Sequence, residues 1–257
     1  MDNLSDGRDL IIVKDVVLRY PMINMAPQSL KETILAPGKS KYHNAKYYES
    51  LRGVSFTVKK GERLGIIGRN GAGKSSLLKA LAGIYPIQGG EIVVHGEVNS
   101  LFDLNVGFEV EESGRSNIYH RGYLLGYDRK DIQKLESEII SFAGLEEFID
   151  MPLKTYSAGM QVRLAFSILT AMGEGVLLLD EILTAGDAEF TTKARKRMEE
   201  MIAEASCMVY VSHDLEVVKR ICTRVIWIDS GLIRCEGDAE SVIHEFLMDI
   251  ERGGRPV

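Results

Sequence analysis

The sequence has few of the residues on which several specialised classes of protein depend. Its 257 residues include three cysteines, Cys207, Cys222 and Cys235, which are too few and too scattered for a disulfide framework. Lysine and arginine together number 31 against 37 aspartates and glutamates, and the net charge is −6. A dedicated nucleic-acid-binding protein needs the opposite balance, because it must displace counterions from phosphates. We therefore expect a protein of a reducing compartment whose partner is not nucleic acid.

Long apolar runs are also missing. Residues 1–15 carry acidic side chains where a signal peptide needs a basic segment, and no stretch of the chain approaches 18 consecutive apolar residues. The sequence is 45% hydrophobic and 26% charged, which is typical of a soluble globular unit. These features predict a cytoplasmic protein that does not itself span a membrane.

Short apolar runs alternate with helical patterns over much of the chain. The runs lie at residues 62–68, 176–180, 207–212 and 224–229. Continuous runs of this kind are typical of strands buried on both faces. Helical patterns at 188–204 and 214–222 separate the last three runs, so the alternation predicts a mainly parallel α/β sheet. Residues 11–20 and 51–58 are rich in β-branched side chains and predict a small antiparallel layer.

Residues 110–172 show a different pattern. They contain helical stretches at about 116–126 and 130–143 and a further helix from Ser157, with no strand signal between them. This pattern predicts an α-helical subdomain inserted into the α/β core. The predicted single domain, 1–257, comprises a β layer and core at 10–100 and 174–240, the helical subdomain at 110–172, an insertion at 21–48 and a carboxyl-terminal tail at 241–257.

A glycine-rich motif follows the strand at 62–68. Residues 68–75 read GRNGAGKS and match GxxxxGK[ST] in full, between a predicted strand and a predicted helix. The glycines let backbone N–H groups surround phosphates, Lys74 reaches the terminal phosphates, and the Ser75 hydroxyl ligates Mg²⁺. The residues predicted to contact the nucleotide here are Gly68, Asn70, Gly71, Ala72, Gly73, Lys74, Ser75 and Ser76.

Two adjacent carboxylates, Asp180 and Glu181, end the buried strand at 176–180. Neighbouring side chains on a strand diverge, so one carboxylate can hold metal and the other can act on water. Alone, such a pair is more often a helix cap beside a solvated neighbour. After a phosphate loop we expect Asp180 to hold Mg²⁺ and Glu181 to take the proton from the attacking water.

Residues 156–161 read YSAGMQ and stand about twenty residues before Asp180, at the start of a predicted helix. With the phosphate loop and the acidic pair, this segment resembles the signature of the ATP-binding cassette (ABC) ATPases. It departs from the usual LSGGQ form at Tyr156, Ala158 and Met160. In that family the segment faces the γ-phosphate bound by a second subunit, at a helix N-terminus. The resemblance implies a signature acting in trans through Ser157, Ala158, Gly159, Met160 and Gln161.

Two further marks of the family follow in order. Residues 185–187 read AGD and resemble the loop that crosses the dimer interface, which assigns Asp187 to it. His213 follows an apolar strand, as the family's switch histidine does. The resemblance implies that His213 hydrogen-bonds the γ-phosphate and holds the geometry of Glu181. It also implies a P-loop NTPase core of the RecA-like kind, with ATP and Mg²⁺ as its cofactors.

Two further family residues are less clearly matched in this sequence: the aromatic residue that stacks on adenine and the glutamine that touches Mg²⁺. Tyr20 matches the aromatic residue that stacks on adenine, and Tyr47 and Tyr48 are competing candidates. Between Gly96 and Asn117, where the family normally has a glutamine that touches Mg²⁺ and senses the membrane partner, the sequence has none. Asp103 is the nearest replacement by position, and Asn105 is an alternative. The mode of coupling therefore stays open.

Three local features point to one branch of the family. They are YSAGMQVRLAFS, the LFDLNVGF and SGRSNIY stretches, and an insertion after Tyr20 with an LKE helix. Together they resemble the ATP-binding subunits of bacterial polysaccharide exporters. The resemblance implies a homodimeric ATPase that binds two copies of a separate polytopic permease at the cytoplasmic face of the inner membrane. Its substrate would be a lipid-linked polysaccharide, most specifically lipopolysaccharide O-antigen, with capsule or teichoic acid as alternatives.

A soluble ABC protein acting on DNA or the ribosome is the competing interpretation. Chromosome and repair members place a long coiled coil between the phosphate loop and the signature, and ribosomal members fuse two cassettes. Here one uninterrupted cassette carries an acidic balance, so transport is favoured. A phosphate-loop kinase would not need the SAG and AGD segments. Some O-antigen members carry a carbohydrate-binding domain after the cassette, for which the residues before Val257 leave no room.

The insertion at 21–48 has no counterpart in a minimal cassette. It is either surface padding, which loops tolerate cheaply, or a contact element. Our hypothesis is a short amphipathic helix at 29–35 with Leu30, Ile34 and Leu35 on one side. From its place after Tyr20 it could control the approach of the membrane subunit or of the lipid-linked head group.

Overall fold

The structure is a computed structural model that describes residues 9–22, 46–102, 107–172, 175–180 and 188–253. These ranges contain nine strands and seven α-helices. The strands are β1 (Asp9–Met22), β2 (Lys46–Lys59), β3 (Arg63–Ile67), β4 (Gly89–Val94), β5 (Val98–Leu101), β6 (Val176–Asp180), β7 (Cys207–Val211), β8 (Arg224–Asp229) and β9 (Leu232–Asp238). The helices are α1 (Lys74–Leu81), α2 (Gly114–Leu124), α3 (Arg129–Ala143), α4 (Ala158–Ala171), α5 (Ala188–Glu204), α6 (Leu215–Ile221) and α7 (Ala239–Glu251).

The strands form two sheets. The smaller sheet is antiparallel, in the order β2-β1-β4. The larger sheet has the order β5-β6-β7-β3-β8-β9, and its first five strands are parallel while β9 runs antiparallel at the edge. The sequence patterns do not predict β4, β5 or β9. β9 alternates between exposed and half-buried residues, so it lacks the continuous apolar run of the central strands.

Consecutive side chains of the central strands fill opposite faces of the larger sheet. In β6, Val176 and Leu178 pack with the small sheet and α1, whereas Leu177 and Leu179 pack with α4, α5 and α7 on the other face. Because both faces are covered, every position of such a strand must be apolar. This burial explains the apolar run with which β6 begins. Because β5, β6, β7, β3 and β8 pair in parallel, their carboxyl ends lie along one edge of the sheet.

The helical subdomain has a separate apolar cluster, built from α2, α3, the segment between α3 and α4, and one side of α4. Ser113, Asp128 and Ser157 cap the three helices, each accepting hydrogen bonds from backbone N–H groups of the first turn. The predicted fold class is confirmed: an α/β core with a parallel sheet, an antiparallel layer and an inserted helical subdomain. None of the helices in the described ranges is long and apolar enough to cross a bilayer.

The end of the chain differs from the predicted tail at 241–257. Residues up to Glu251 form helix α7, which opens at the capping residue Asp238. Phe246 lies edge-on against Trp227 of β8, with ring centroids 5.4 Å apart, and Val242 and Ile243 are buried beside it. Helix α7 is thus part of the core. Residues 254–257 lie outside the described ranges.

We expect Phe246→Ala to lower the free energy of unfolding by about 3 kcal/mol, because it removes a buried ring and leaves a cavity against Trp227. Urea unfolding followed by tryptophan fluorescence measures the change. Leu247→Ala is the matched control, since Leu247 is the next residue of the same helix and is 43% exposed. It should cost less than about 1 kcal/mol. Equal losses in the two variants would contradict the packing of α7 described above.

Candidate active site

The phosphate loop lies at the carboxyl edge of the larger sheet. It connects β3, which runs between β7 and β8, to helix α1. Ligands of open parallel sheets bind outside the carboxyl ends of the strands, and α1 directs its amino terminus to the same place. The position therefore suits the motif at 68–75.

Two glycines of the loop are required by the backbone around them. Gly68 and Gly73 have φ angles of 149° and 107°, which disfavour any residue with a side chain. A Cβ atom on Gly68 would lie 2.1 Å from the carbonyl oxygen of Ile228, and one on Gly73 would lie 2.5 Å from that of Ser50. The loop thus packs directly against the backbones of β8 and β2.

Lys74 is held inside the loop. Its side chain is buried, and Nζ donates hydrogen bonds to the carbonyl oxygens of Gly68, at 2.8 Å, and Arg69, at 3.0 Å. Helix α1 begins after Gly73 with no side-chain cap and with no acidic residue in its first turn. A helix start of this kind accommodates an anion, because neither a side-chain oxygen nor a negative charge competes for it.

A pocket of about 250 Å³ opens over this loop. The residues that line it are Tyr20, Tyr48, Ser50, Asn70, Gly71, Ala72, Gly73, Lys74, Ser75, Ser76 and His213. His213 reaches the pocket because it follows β7, the strand beside β3. The structure therefore brings the predicted histidine and the phosphate loop together. The sequence analysis missed Ser50, since a serine inside a strand belongs to no motif.

Two tyrosines at the ends of β1 and β2 stand at the pocket. Tyr20 donates a hydrogen bond to Ser76 Oγ at 3.0 Å and packs edge-on against Tyr85. Burial raises the pKa of Tyr20 above its usual value, which keeps the hydroxyl protonated. Tyr48 is the cross-strand partner of Tyr20, is 46% exposed, and donates to the carbonyl oxygen of Gly71 at 3.1 Å. Tyr47 is also exposed but does not line the pocket.

The acidic end of β6 shares this edge of the sheet. Asp180 is half-buried and pairs with Val211 of β7, whereas Glu181 and Asp187 lie outside the described residues, as do Asp103 and Asn105. Within the described part of the chain, no group of three or more histidine, cysteine or acidic side chains is arranged so that it could hold a metal ion. Mg²⁺ does not require one, because beside nucleotides it takes one or two protein oxygens together with phosphate and water. Ser75 and Asp180 fit that role.

The signature lies at the exposed start of α4. Ser157 caps the helix by accepting a hydrogen bond from Met160 N at 3.2 Å, and both Ser157 and Ala158 are exposed. Tyr156 is buried and donates to the carbonyl oxygen of Phe148 at 2.7 Å, so the residue that replaces the usual leucine anchors the segment. Of the described residues that line the phosphate-loop pocket, none comes from 157–161.

A larger cleft, of about 490 Å³, lies at the opposite edge of the sheet. Its walls include Asn99, Gly175 and Ser206, near the amino ends of β5, β6 and β7. No residue of the predicted site is among the described residues that line it. The smaller pocket is the candidate active site, because the residues of the phosphate-loop motif line it.

Comparison with known proteins identifies the family of this chain. The family model for ABC transporters matches residues 51–184. An O-antigen export system ATP-binding protein, RfbB, of Klebsiella pneumoniae is 37% identical over 91% of this chain and 96% of its own length. Its namesake in Myxococcus xanthus is 39% identical over 95% of this chain, but this chain spans only 56% of that protein.

Two further matches are also described as ATP-binding proteins of export or transport systems. A teichoic acids export ATP-binding protein, TagH, of Lactococcus lactis is 38% identical over 79% of this chain and 43% of its own length. A solved structure described as the ATP binding subunit of an ABC transporter superposes with a TM-score of 0.69 at 18% identity, covering 93% of this chain and 94% of the other. The family predicted from the sequence is confirmed: this chain belongs to the ABC transporter family, among its ATP-binding proteins.

Proposed function

We propose that this chain is the ATP-hydrolysing subunit of an exporter that moves lipid-linked polysaccharide, most specifically lipopolysaccharide O-antigen, across the bacterial inner membrane. The match to the Klebsiella O-antigen export protein, over nearly the full length of both chains, carries the cargo assignment. The phosphate-loop pocket supports the ATPase assignment. A teichoic acid exporter is the second candidate, because a relative of that name matches at similar identity over less of the chain.

The phosphates of ATP bind along 68–76, against the backbone N–H groups of the loop and the amino terminus of α1. Lys74 exchanges the carbonyl oxygens of Gly68 and Arg69 for phosphate oxygens, a move that needs rotation of its side chain only. Adenine stacks on Tyr20 or on its cross-strand partner Tyr48, both of which line the pocket. Tyr47 is the weakest of the three candidates.

Hydrolysis requires a base, a metal ligand and a group that holds the γ-phosphate. Ser75 and Asp180 would hold Mg²⁺, which neutralises phosphate charge when bound, and Asp103 is the candidate third oxygen ligand. Glu181 accepts the proton of the attacking water, a contribution of typically 10²- to 10⁴-fold in rate. His213, at the pocket wall, hydrogen-bonds the γ-phosphate and orients Glu181.

The site is completed by a second copy of the chain. The signature residues lie at the start of α4, where Ser157 and Ala158 are exposed. Among the described residues that line the pocket of their own subunit, there is none of Ser157, Ala158, Gly159, Met160 and Gln161. In a homodimer they face the γ-phosphate held by the partner, with Asp187 in the crossing loop. The dimer binds two copies of a separate polytopic permease at the cytoplasmic face of the inner membrane.

Glu181→Gln should abolish turnover while nucleotide binding is kept, because the glutamine cannot take the proton but leaves the metal ligands in place. The trapped ATP state should run as a dimer in gel filtration with ATP and Mg²⁺, and wild-type protein should return to monomer as ATP is consumed. Hydrolysis by the variant at near wild-type rate would exclude Glu181 as the base.

Mixing Ser157→Arg subunits with Lys74→Ala subunits should restore part of the ATPase activity that each variant lacks alone. The mixed dimer contains one composite site with an intact phosphate loop and an intact signature, whereas neither homodimer contains any. ATPase activity is measured against the mixing ratio, and wild-type mixed with Lys74→Ala gives the reference for subunit exchange. Normal activity of pure Ser157→Arg would show that the signature does not act across the interface.

Cells that lack this protein should lose surface O-antigen and accumulate the lipid-linked polymer inside. Wild-type protein should restore export, and Glu181→Gln at matched protein level should not. Immunoblots of surface and cytoplasmic polymer measure both pools. If O-antigen export is unchanged and another surface polymer, such as teichoic acid or capsule, is lost, the cargo assignment is wrong. If no surface polymer changes, a soluble role outside transport is favoured.

A further inference from the structure

Backbone groups from the carboxyl-terminal part of the chain contact the outer surface of the phosphate loop. The carbonyl oxygen of Ile228, in β8, occupies the space where a side chain of Gly68 would begin. In the turn after β8, the N–H of Gly231 donates a hydrogen bond to the carbonyl oxygen of Ala72 at 2.9 Å. Both contacts involve residues beyond the segment 51–184 that matches the family model.

Helix α7 adds a third contact, and this one is made by charged side chains. Asp249 Oδ2, in the last turn of α7, lies 3.9 Å from Nη2 of Arg69 in the phosphate loop. The two side chains are 33% and 26% exposed, so water screens the pair only in part. The carbonyl oxygen of the same Arg69 accepts a hydrogen bond from Lys74 Nζ. A single residue, Arg69, therefore connects Asp249 to Lys74, the lysine proposed to bind phosphate.

We infer that Asp249 is a positioning residue for nucleotide binding: through Arg69 it holds the phosphate loop in the shape that receives ATP. This inference rests on the proposed function of the same pocket. A loop that is already ordered loses less conformational entropy when the ligand binds, and this raises affinity without a new contact. Asp249 stands three residues after Phe246, which packs α7 against Trp227 of β8, so the partner of Arg69 is carried by an element of the core.

Simple charge repulsion predicts the opposite sign. A carboxylate near the phosphate loop repels ATP, so its neutralisation would strengthen binding if Asp249 acted only through its field. Positioning instead predicts that neutralisation weakens binding, because Arg69 loses its partner on α7. The direction in which the affinity for ATP changes when Asp249 is neutralised therefore separates the two explanations.

The test compares Asp249→Asn, Arg69→Gln and the double variant with wild-type protein. The dissociation constant for a fluorescent ATP analogue with Mg²⁺, and KM and kcat for ATP hydrolysis, are measured. Each single variant should raise the dissociation constant and KM by about two- to fivefold, the range expected for one partly exposed ion pair, with kcat unchanged. The double variant should be no worse than either single variant. Asp249→Glu, which keeps the charge, should recover most of the affinity.

Glu240→Gln is the matched control. Glu240 stands at the other end of α7, and its ion pair with Lys219, at 2.7 Å, does not involve the phosphate loop. This variant should bind ATP as wild-type protein does. Tighter binding by Asp249→Asn, additive effects in the double variant, or no change in any variant would overturn the inference. Loss of nucleotide binding in wild-type protein and in every variant would instead contradict the proposed function itself.

Discussion

The close approach of two strands to the phosphate loop constrains the rest of the site. Carbonyl oxygens of Ile228 and Ser50 lie where side chains on Gly68 and Gly73 would have to be. The outer surface of the loop is therefore in backbone contact with the larger sheet on one side and the small antiparallel sheet on the other. Only the inner surface remains for a ligand, and the N–H groups that bind phosphate need this inward orientation.

The small sheet accordingly has a role beyond covering the core. Its strand β2 supplies Ser50 and Tyr48, and the hydroxyl of Tyr48 donates to the loop at Gly71. Ser76 Oγ, on helix α1, accepts hydrogen bonds from both Tyr20 and Ser50. The ends of β1 and β2 are thus joined to the first turn of α1 by side-chain hydrogen bonds. These hydrogen bonds fix Tyr20 and Tyr48, the two tyrosines proposed to stack on adenine, beside the phosphate loop.

Much of this arrangement is readable from the sequence, because it depends on local patterns. A strand buried on both faces requires a continuous apolar run such as the one in β6. The motif at 68–75 predicts a phosphate-binding loop between a strand and a helix. The resemblance to the ABC ATPases predicted His213 at the γ-phosphate, and the structure has His213 in the wall of the phosphate-loop pocket because β7 lies beside β3. Ser50 and Asp249 could not be predicted, since each contacts the loop from a distant part of the chain and no local pattern records such a contact. Helix α7 was missed as a core element because the family motifs end before it.

The cap of helix α4 allows one hydroxyl to serve two purposes. Ser157 Oγ uses a lone pair to accept from Met160 N, and this contact stabilises the first turn within a single subunit. A serine hydroxyl also carries one hydrogen that it can donate. An anion approaching from outside can accept that hydrogen while the cap stays intact. In the proposed dimer, contact between Ser157 and the γ-phosphate would therefore leave the first turn of the helix capped.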